Sequence, residues 1–112
     1  MNDINNDEIE MKFYIYKIYQ KDDPTIFYIG STNNINRRKS QHYKAIKNRS
    51  SKKYKYPLYK YIRALGGFDN FNIVVVHECK IKTKGEGLQL EQQMIDDLKP
   101  KLNTIRAKKT SK

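Results

Sequence analysis

The sequence predicts a single α+β domain, and three observations predict it. Two short aromatic-apolar runs, Tyr14-Ile15-Tyr16 and Tyr28-Ile29-Gly30, flank the turn-forming cluster Lys21-Asp22-Asp23-Pro24, which is the pattern of adjacent antiparallel strands. A third β signal, an uninterrupted apolar and β-branched run over residues 71–76, comes much later in the chain. The third observation is that three segments between and after these runs take a helical period and carry start or stop signals. At 112 residues the chain supports one hydrophobic core without staples.

Residues 1–10 are polar and carry Asp3, Asp7, Glu8 and Glu10, so a flexible acidic tail is expected there. The domain follows over residues 11–104. In the first strand, 11–19, alternate side chains share a face, so Tyr14 and Tyr16 point one way and Ile15 the other. Tyr28 and Gly30 likewise share a face in the second strand, 26–30. Asn33-Asn34 offers N-cap residues for a first helix over 35–47. On a wheel of about 100° per residue with Ile35 at zero, Ile46 falls at about 20°, Ala45 at about 280°, Arg38 at about 300° and His42 at about 340°. Arg38 and His42 therefore sit inside the apolar arc and face the strands.

Residues 48–55 form a basic Ser/Lys/Asn loop, expected as a surface arm. Pro57 suits the first turn of a second helix that Gly66-Gly67 stops. Along it Leu58, Ile62 and Leu65 fall on one side, with Tyr59 and Arg63 beside them. The run 71–76 reads as a central strand buried on both faces. Residues 83–87 read as a flexible turn, and Gly85-x-Gly87 lacks the surroundings of a phosphate loop. A third helix, 88–98, is stopped by Pro100. With Leu88 at zero, Leu90, Met94, Leu98 and Ile95 lie between about 200° and 340°, opposite Gln89, Gln92, Gln93, Asp96 and Asp97. Glu91, at about 300°, lies in the middle of that apolar arc. The basic residues of 105–112 are expected to form a disordered tail.

The formal net charge is +11, and its distribution says more than its size. Between Pro24 and Phe68 there are eleven Lys or Arg residues and no Asp or Glu, while the twelve basic residues elsewhere balance all twelve acidic ones. The surplus thus comes from one block, interleaved with Tyr43, Tyr54, Tyr56, Tyr59 and Tyr61, and it suits a polyanion, nucleic acid before any other. The single cysteine, Cys79, rules out an internal disulfide and a cysteine-built zinc site and fits a reducing compartment. No run approaches the ~18 apolar residues of a membrane span, and the acidic N-terminus is unlike a signal peptide. A soluble intracellular protein, cytoplasmic or nuclear, with no membrane partner is expected. The abundance of Lys, Asn, Ile and Tyr fits an A/T-rich genome, as in many viruses and mobile elements.

Arg38, His42 and Glu91 each interrupt the apolar face of a helix, and one shared site accounts for all three. A buried carboxylate is costly unless it is paired or holds a metal. Phosphodiester hydrolysis needs an activated water, a positive group on the nonbridging oxygens and stabilisation of the departing oxygen. Glu91 is suited to hold a divalent cation, Arg38 to bind phosphate with its planar fork, and a tyrosine oxygen to position or deprotonate water. A phenol, with a reference pKa of about 10, needs a neighbouring cation to lower it, and Lys17, Arg38 and the metal are the candidates.

Taken in order, these residues resemble the GIY-YIG nucleases over residues 13–103. Tyr14-Ile15-Tyr16 stands at the first motif, with Tyr14 in place of the usual glycine, and Tyr28-Ile29-Gly30-Ser31-Thr32 stands at the second. Arg38, His42, Glu91 and Asn103 continue the match. The resemblance implies a small three-stranded antiparallel sheet flanked by helices, and an endonuclease that hydrolyses DNA with one Mg²⁺ or Mn²⁺ ion. It implies that Tyr16 activates water beside Tyr28, that Arg38 binds phosphate and that His42 assists. It also makes Glu91 the sole protein ligand of the metal and Asn103 a supporting residue; Lys17 and Gly30 are further supporting candidates. The basic residues expected to hold DNA are Arg37, Lys47, Arg49, Lys52, Lys53, Lys55 and Arg63.

Members of that family usually join the nuclease module to a DNA-recognition or zinc-binding domain, and no second domain is expected in this chain. Phosphate contacts position a protein but do not specify sequence. The expectations are therefore recognition of a DNA structure, a protein partner that supplies the target, or cutting with little selectivity. The competing class is a non-catalytic basic nucleic-acid-binding module, which needs the charge but has no use for Glu91 at the site.

Overall fold

A computed structural model describes residues 10–104, so the expected basic tail, and all of the expected acidic tail but Glu10, lie outside the described residues. The elements run β1 (Met11–Gln20), β2 (Phe27–Thr32), α1 (Ile35–Lys47), α2 (Pro57–Ala64), β3 (Phe71–Ile81) and α3 (Lys84–Leu98). Short 3-10 turns occupy Lys52–Lys55, Gly67–Asn70 and Lys101–Thr104. The strands pair antiparallel in the order β2-β1-β3, giving the α+β fold with a three-stranded sheet that the resemblance implies.

Local chemistry sets the register. Asp23 accepts hydrogen bonds from the Thr25 amide at 3.2 Å and hydroxyl at 2.6 Å, and its carbonyl accepts from the Ile26 amide at 2.9 Å. An Asp that folds the chain back onto its own carboxylate makes a tight connection. The two strands then meet with Tyr16 opposite Gly30 and Tyr14 opposite Thr32.

The helices cover the two faces of the sheet. On one, Tyr16 and Ile18 meet Ala45 and Ile46 of α1, Tyr59 and Ile62 of α2, and Phe71 and Leu102. On the other, Phe13, Ile15, Ile29 and Ile81 meet Leu90, Met94 and Ile95 of α3. Ile15, Ile18, Ile29 and Ile62 are fully buried. Each contributes roughly 1.5–3 kcal/mol through the apolar surface it removes from water. Among the described residues no helix is long and apolar enough to cross a membrane.

β3 corrects the expectation of a central strand buried on both faces. It is an edge strand that continues to Ile81, and Val74, Val75 and Val76 are 38%, 41% and 42% exposed. Ile15 pairs with His77 while its neighbour Tyr16 pairs with Val75, so Val76 is the extra residue of a β-bulge. A bulge changes which residues share a face. Ile73 accordingly packs with the α1 and α2 cluster, whereas Cys79 and Ile81 pack with α3. The unbroken apolar run marks a change of face rather than double burial.

α3 starts at Lys84, where a flexible turn was expected. The Thr83 hydroxyl accepts from the Glu86 amide at 3.2 Å. The Glu86 carboxylate accepts from the amides of Thr83 at 3.2 Å and Lys82 at 2.6 Å. This reciprocal capping box starts the helix despite two glycines, and the backbone donors hold the Glu86 carboxyl below its ordinary range. Gly87 is the point of closest approach to the sheet, since a Cβ there would lie 2.5 Å from the Phe13 ring and 3.0 Å from Ile81. Leu98, expected in the apolar arc, is exposed, as is Leu88.

Candidate active site

The site begins with a missing side chain. Tyr16 and Gly30 are cross-strand partners, and the Tyr16 ring lies over the glycine. A Cβ on Gly30 would sit 2.5 Å from the Tyr16 hydroxyl and 2.9 Å from the Tyr28 ring. The side chain of Asn34 caps α1 by accepting from the Arg37 amide at 3.0 Å. The helix so started lays Arg38 and His42, one turn apart, over the Tyr16 hydroxyl.

His42 is buried and bonded on both sides. Its Nε2 is 2.8 Å from the Tyr16 hydroxyl, and its Nδ1 is 2.7 Å from the hydroxyl of Tyr59 on α2. Arg38 Nη1 donates to the Ser31 carbonyl at 3.2 Å and to the Tyr16 hydroxyl at 3.5 Å, and Nε donates to Gln41 Oε1 at 3.1 Å. The Ser31 hydroxyl in turn donates to the carboxylate of Glu91 on α3. Ser31 thus joins Arg38, from the α1 side of the sheet, to Glu91, from the α3 side, around the rim of β2. Asn103 closes the same rim. Its Oδ1 accepts from the Ile29 amide at 2.8 Å and its Nδ2 donates to the Ile29 carbonyl at 2.9 Å, as a neighbouring strand would.

A cleft of about 460 Å³ opens here, bordered by Tyr28, Arg38, His42, Lys53, Tyr59 and Glu91. Tyr16 is fully buried and communicates with the cleft through Arg38 and His42, the two cleft residues bonded to its hydroxyl. Burial above all, and Tyr28 next, hold that hydroxyl well above the usual phenol range; the bond from Arg38 opposes them and loses. Burial, then Arg38 and Lys53, push His42 down to about 4, so it is neutral at pH 7. Burial first, and Tyr28 second, push Tyr59 up to about 12.

Arg38 therefore acts on the Tyr16 hydroxyl in the expected direction, but burial outweighs it and the net shift is upward. Lys17 lies away from that hydroxyl, with its ammonium 4.7 Å from the centre of the Phe27 ring, among the side chains packed on the α3 face. Of the basic candidates, Arg37, Lys47, Arg49, Lys52, Lys53 and Lys55 are exposed, and Lys53 borders the cleft. Arg63 is placed differently. Its guanidinium carbon is 3.6 Å from the centre of the Tyr54 ring, and it donates to the carbonyls of Ile46 at 3.2 Å and Tyr54 at 2.7 Å. It fastens the Lys52–Lys55 turn to the end of α1.

Sequence reading does not single out Ser31, Gln41 or Tyr59 as site residues. Ser31 was inside the second motif, and the signal for Tyr59 was its place beside the apolar stripe of α2, where a buried phenol needs a partner. Among the described residues no group of three or more His, Cys, Asp or Glu side chains is gathered for a metal, and Glu91 is the carboxylate that borders the cleft. The family model described as the GIY-YIG catalytic domain matches residues 12–105. No curated protein and no solved structure matches the chain.

Proposed function

The chain belongs to the GIY-YIG nuclease family, and from that premise we propose that it is a metal-dependent endonuclease that hydrolyses DNA phosphodiester bonds at this cleft. The observation that carries the reading is the meeting at the rim of β2 of a phenol–imidazole pair, an arginine and a carboxylate, drawn from β1, α1 and α3. A surface that only binds nucleic acid needs no such convergence.

Arg38 is the phosphate ligand. Three of its donors are committed to neutral acceptors in the free protein, and hydrogen bonds to an anionic oxygen are roughly twice as strong. A phosphodiester entering the cleft therefore draws the guanidinium onto itself and uncovers the Tyr16 hydroxyl. Water held beside Tyr28 gives a proton to Tyr16 Oη as the Tyr16 proton passes to His42 Nε2, and the hydroxide formed attacks phosphorus. Tyr16 is neutral before and after, so the cost of the relay falls on His42, whose charged form burial and Arg38 disfavour in the free protein and a phosphodiester anion in the cleft would favour. One P–O bond breaks, the departing oxygen takes a proton from solvent, and His42 returns its proton to water. Gly30 leaves room for Tyr16, and Asn103 holds the strand edge from which Ser31 reaches Glu91.

The residues present fit one Mg²⁺ or Mn²⁺ ion. The Glu91 carboxylate is a hard donor at the cleft, and water and phosphate oxygens would complete the shell, the usual pattern for Mg²⁺. Held there, an ion would supply positive charge to the departing oxygen. Lys53 and the exposed Arg37, Lys47, Arg49, Lys52 and Lys55 grip the DNA backbone without reading bases, so target choice rests on DNA form or on a protein partner.

Glu91→Gln tests the reading. The variant keeps the shape and can still accept from Ser31, but it loses the charge that holds a divalent ion. It should melt normally and bind DNA at least as well, while cleavage of supercoiled plasmid falls about 10³-fold and extra Mg²⁺ restores little. A destabilised variant that still cuts with metal would remove Glu91 from this role. A wild-type chain that binds but cuts no supercoiled, linear, single-stranded or branched DNA with either ion would be the non-catalytic binding module.

A further inference from the structure

The hydroxyl of Tyr16 is fully buried, so its proton needs an acceptor within the protein. Arg38 bonds to this hydroxyl through Nη1 at 3.5 Å, and His42 Nε2 makes the shorter contact at 2.8 Å. A guanidinium has donors only, so Arg38 occupies a lone pair of the oxygen and cannot take the proton. Of these two, His42 Nε2 is the group able to take the proton, and to do so that nitrogen must itself be unprotonated. A neutral imidazole carries its proton on one nitrogen, which would then be Nδ1, 2.7 Å from the Tyr59 hydroxyl. We infer that Tyr59 is a positioning residue of the nuclease site: its oxygen accepts from His42 Nδ1–H and keeps His42 in the tautomer whose Nε2 receives the Tyr16 proton.

The surroundings fit this role. Tyr59 is packed in the core formed with α1 and β1, and its ring lies near-parallel to Tyr56 with 15° between planes, so the oxygen is held in place. Its phenol, pushed up to about 12, stays protonated, and it borders the cleft, where its own proton has polar company. In the opposite tautomer Arg38 and His42 would both donate to Tyr16, and the Tyr16 proton would be left without either as acceptor. The catalytic consequence rests on the nuclease reading, whereas the tautomer does not.

Long-range ¹H–¹⁵N spectra of the full chain labelled in histidine, with His77→Gln to assign the second histidine, read the tautomer directly. The expected result at pH 7 is a protonated Nδ1 and a bare Nε2 on His42; a protonated Nε2 overturns the inference whether or not the chain cuts DNA. In Tyr59→Phe the population should move toward Nε2–H, and kcat should fall about 10²-fold with KM for DNA little changed. Tyr59→Gln, which restores an acceptor oxygen, should recover part of both the tautomer and the rate. A folded Tyr59→Phe protein that keeps Nδ1–H and wild-type kcat overturns the positioning role. If Tyr59→Phe does not fold, the wild-type spectrum and Tyr59→Gln still decide it. A wild-type chain with Nδ1–H that cuts nothing supports the tautomer and sinks the nuclease reading alone.

Discussion

His42 sits within reach of two phenols, Tyr16 and Tyr59, with the Phe68 ring beside it and the cations of Arg38 and Lys53 nearby. An exposed histidine with pKa about 6.5 would be half charged near neutrality; this one is pushed down to about 4 and remains a neutral acceptor. The same shift couples to stability. Between about pH 4 and 6.5 the unfolded chain binds a proton at this position that the folded chain refuses. The stabilisation is complete above the unfolded value and is lost as pH falls through the folded one. The loss is of the order of 3 kcal/mol. Urea titrations at pH 7 and pH 4.5 should show the folded state weakened by acid, and His42→Gln should flatten that dependence while lowering stability at pH 7. An unchanged slope in the variant would mean that other groups carry the acid sensitivity.

At the scale of an element, Arg63 ties α2 to the Lys52–Lys55 turn and the end of α1. Arg63→Ala removes two bonds to carbonyls and the stacking on Tyr54, so a loss of roughly 1–3 kcal/mol is expected, with the salt dependence of DNA binding little changed. A thermal melt and a salt titration of affinity check the two halves. This is also the scale at which the sequence was partly opaque. Arg38, His42 and Glu91 were legible because each broke an apolar stripe at helical spacing, a signal local to its own helix. Tyr59 and Ser31 were not, because what makes them matter is a contact across elements: α2 against α1, and β2 against α3. The Thr83-x-x-Glu86 capping box was present in the sequence, but Gly85 and Gly87 beside it argued for a turn, and only packing against Phe13 shows why a glycine is needed in that helix. The bulge at Val76 leaves no mark in an all-valine run.

Over the whole molecule, the +11 surplus comes from the block that contributes α1, the Lys52–Lys55 turn and α2. Replacing Lys47, Arg49, Lys52 and Lys53 by neutral residues should weaken DNA binding and reduce its log–log salt slope by up to about 3.6, because fewer counterions are released. All four are exposed, so the melting temperature should hold; unchanged affinity and slope would place the binding surface elsewhere. The layers themselves impose a different discipline. Arg38, His42 and Tyr16 stand on one side of the sheet and Glu91 comes from the other, with Ser31 between them. One turn before Glu91, Gly87 lets the backbone of α3 rest almost directly on Phe13. The spacing between carboxylate and guanidinium is thus gauged by a bare helix lying on a strand, and the glycine acts as a shim of zero thickness. The proposed chemistry would then be calibrated at a buried position of the helix that does not line the cleft.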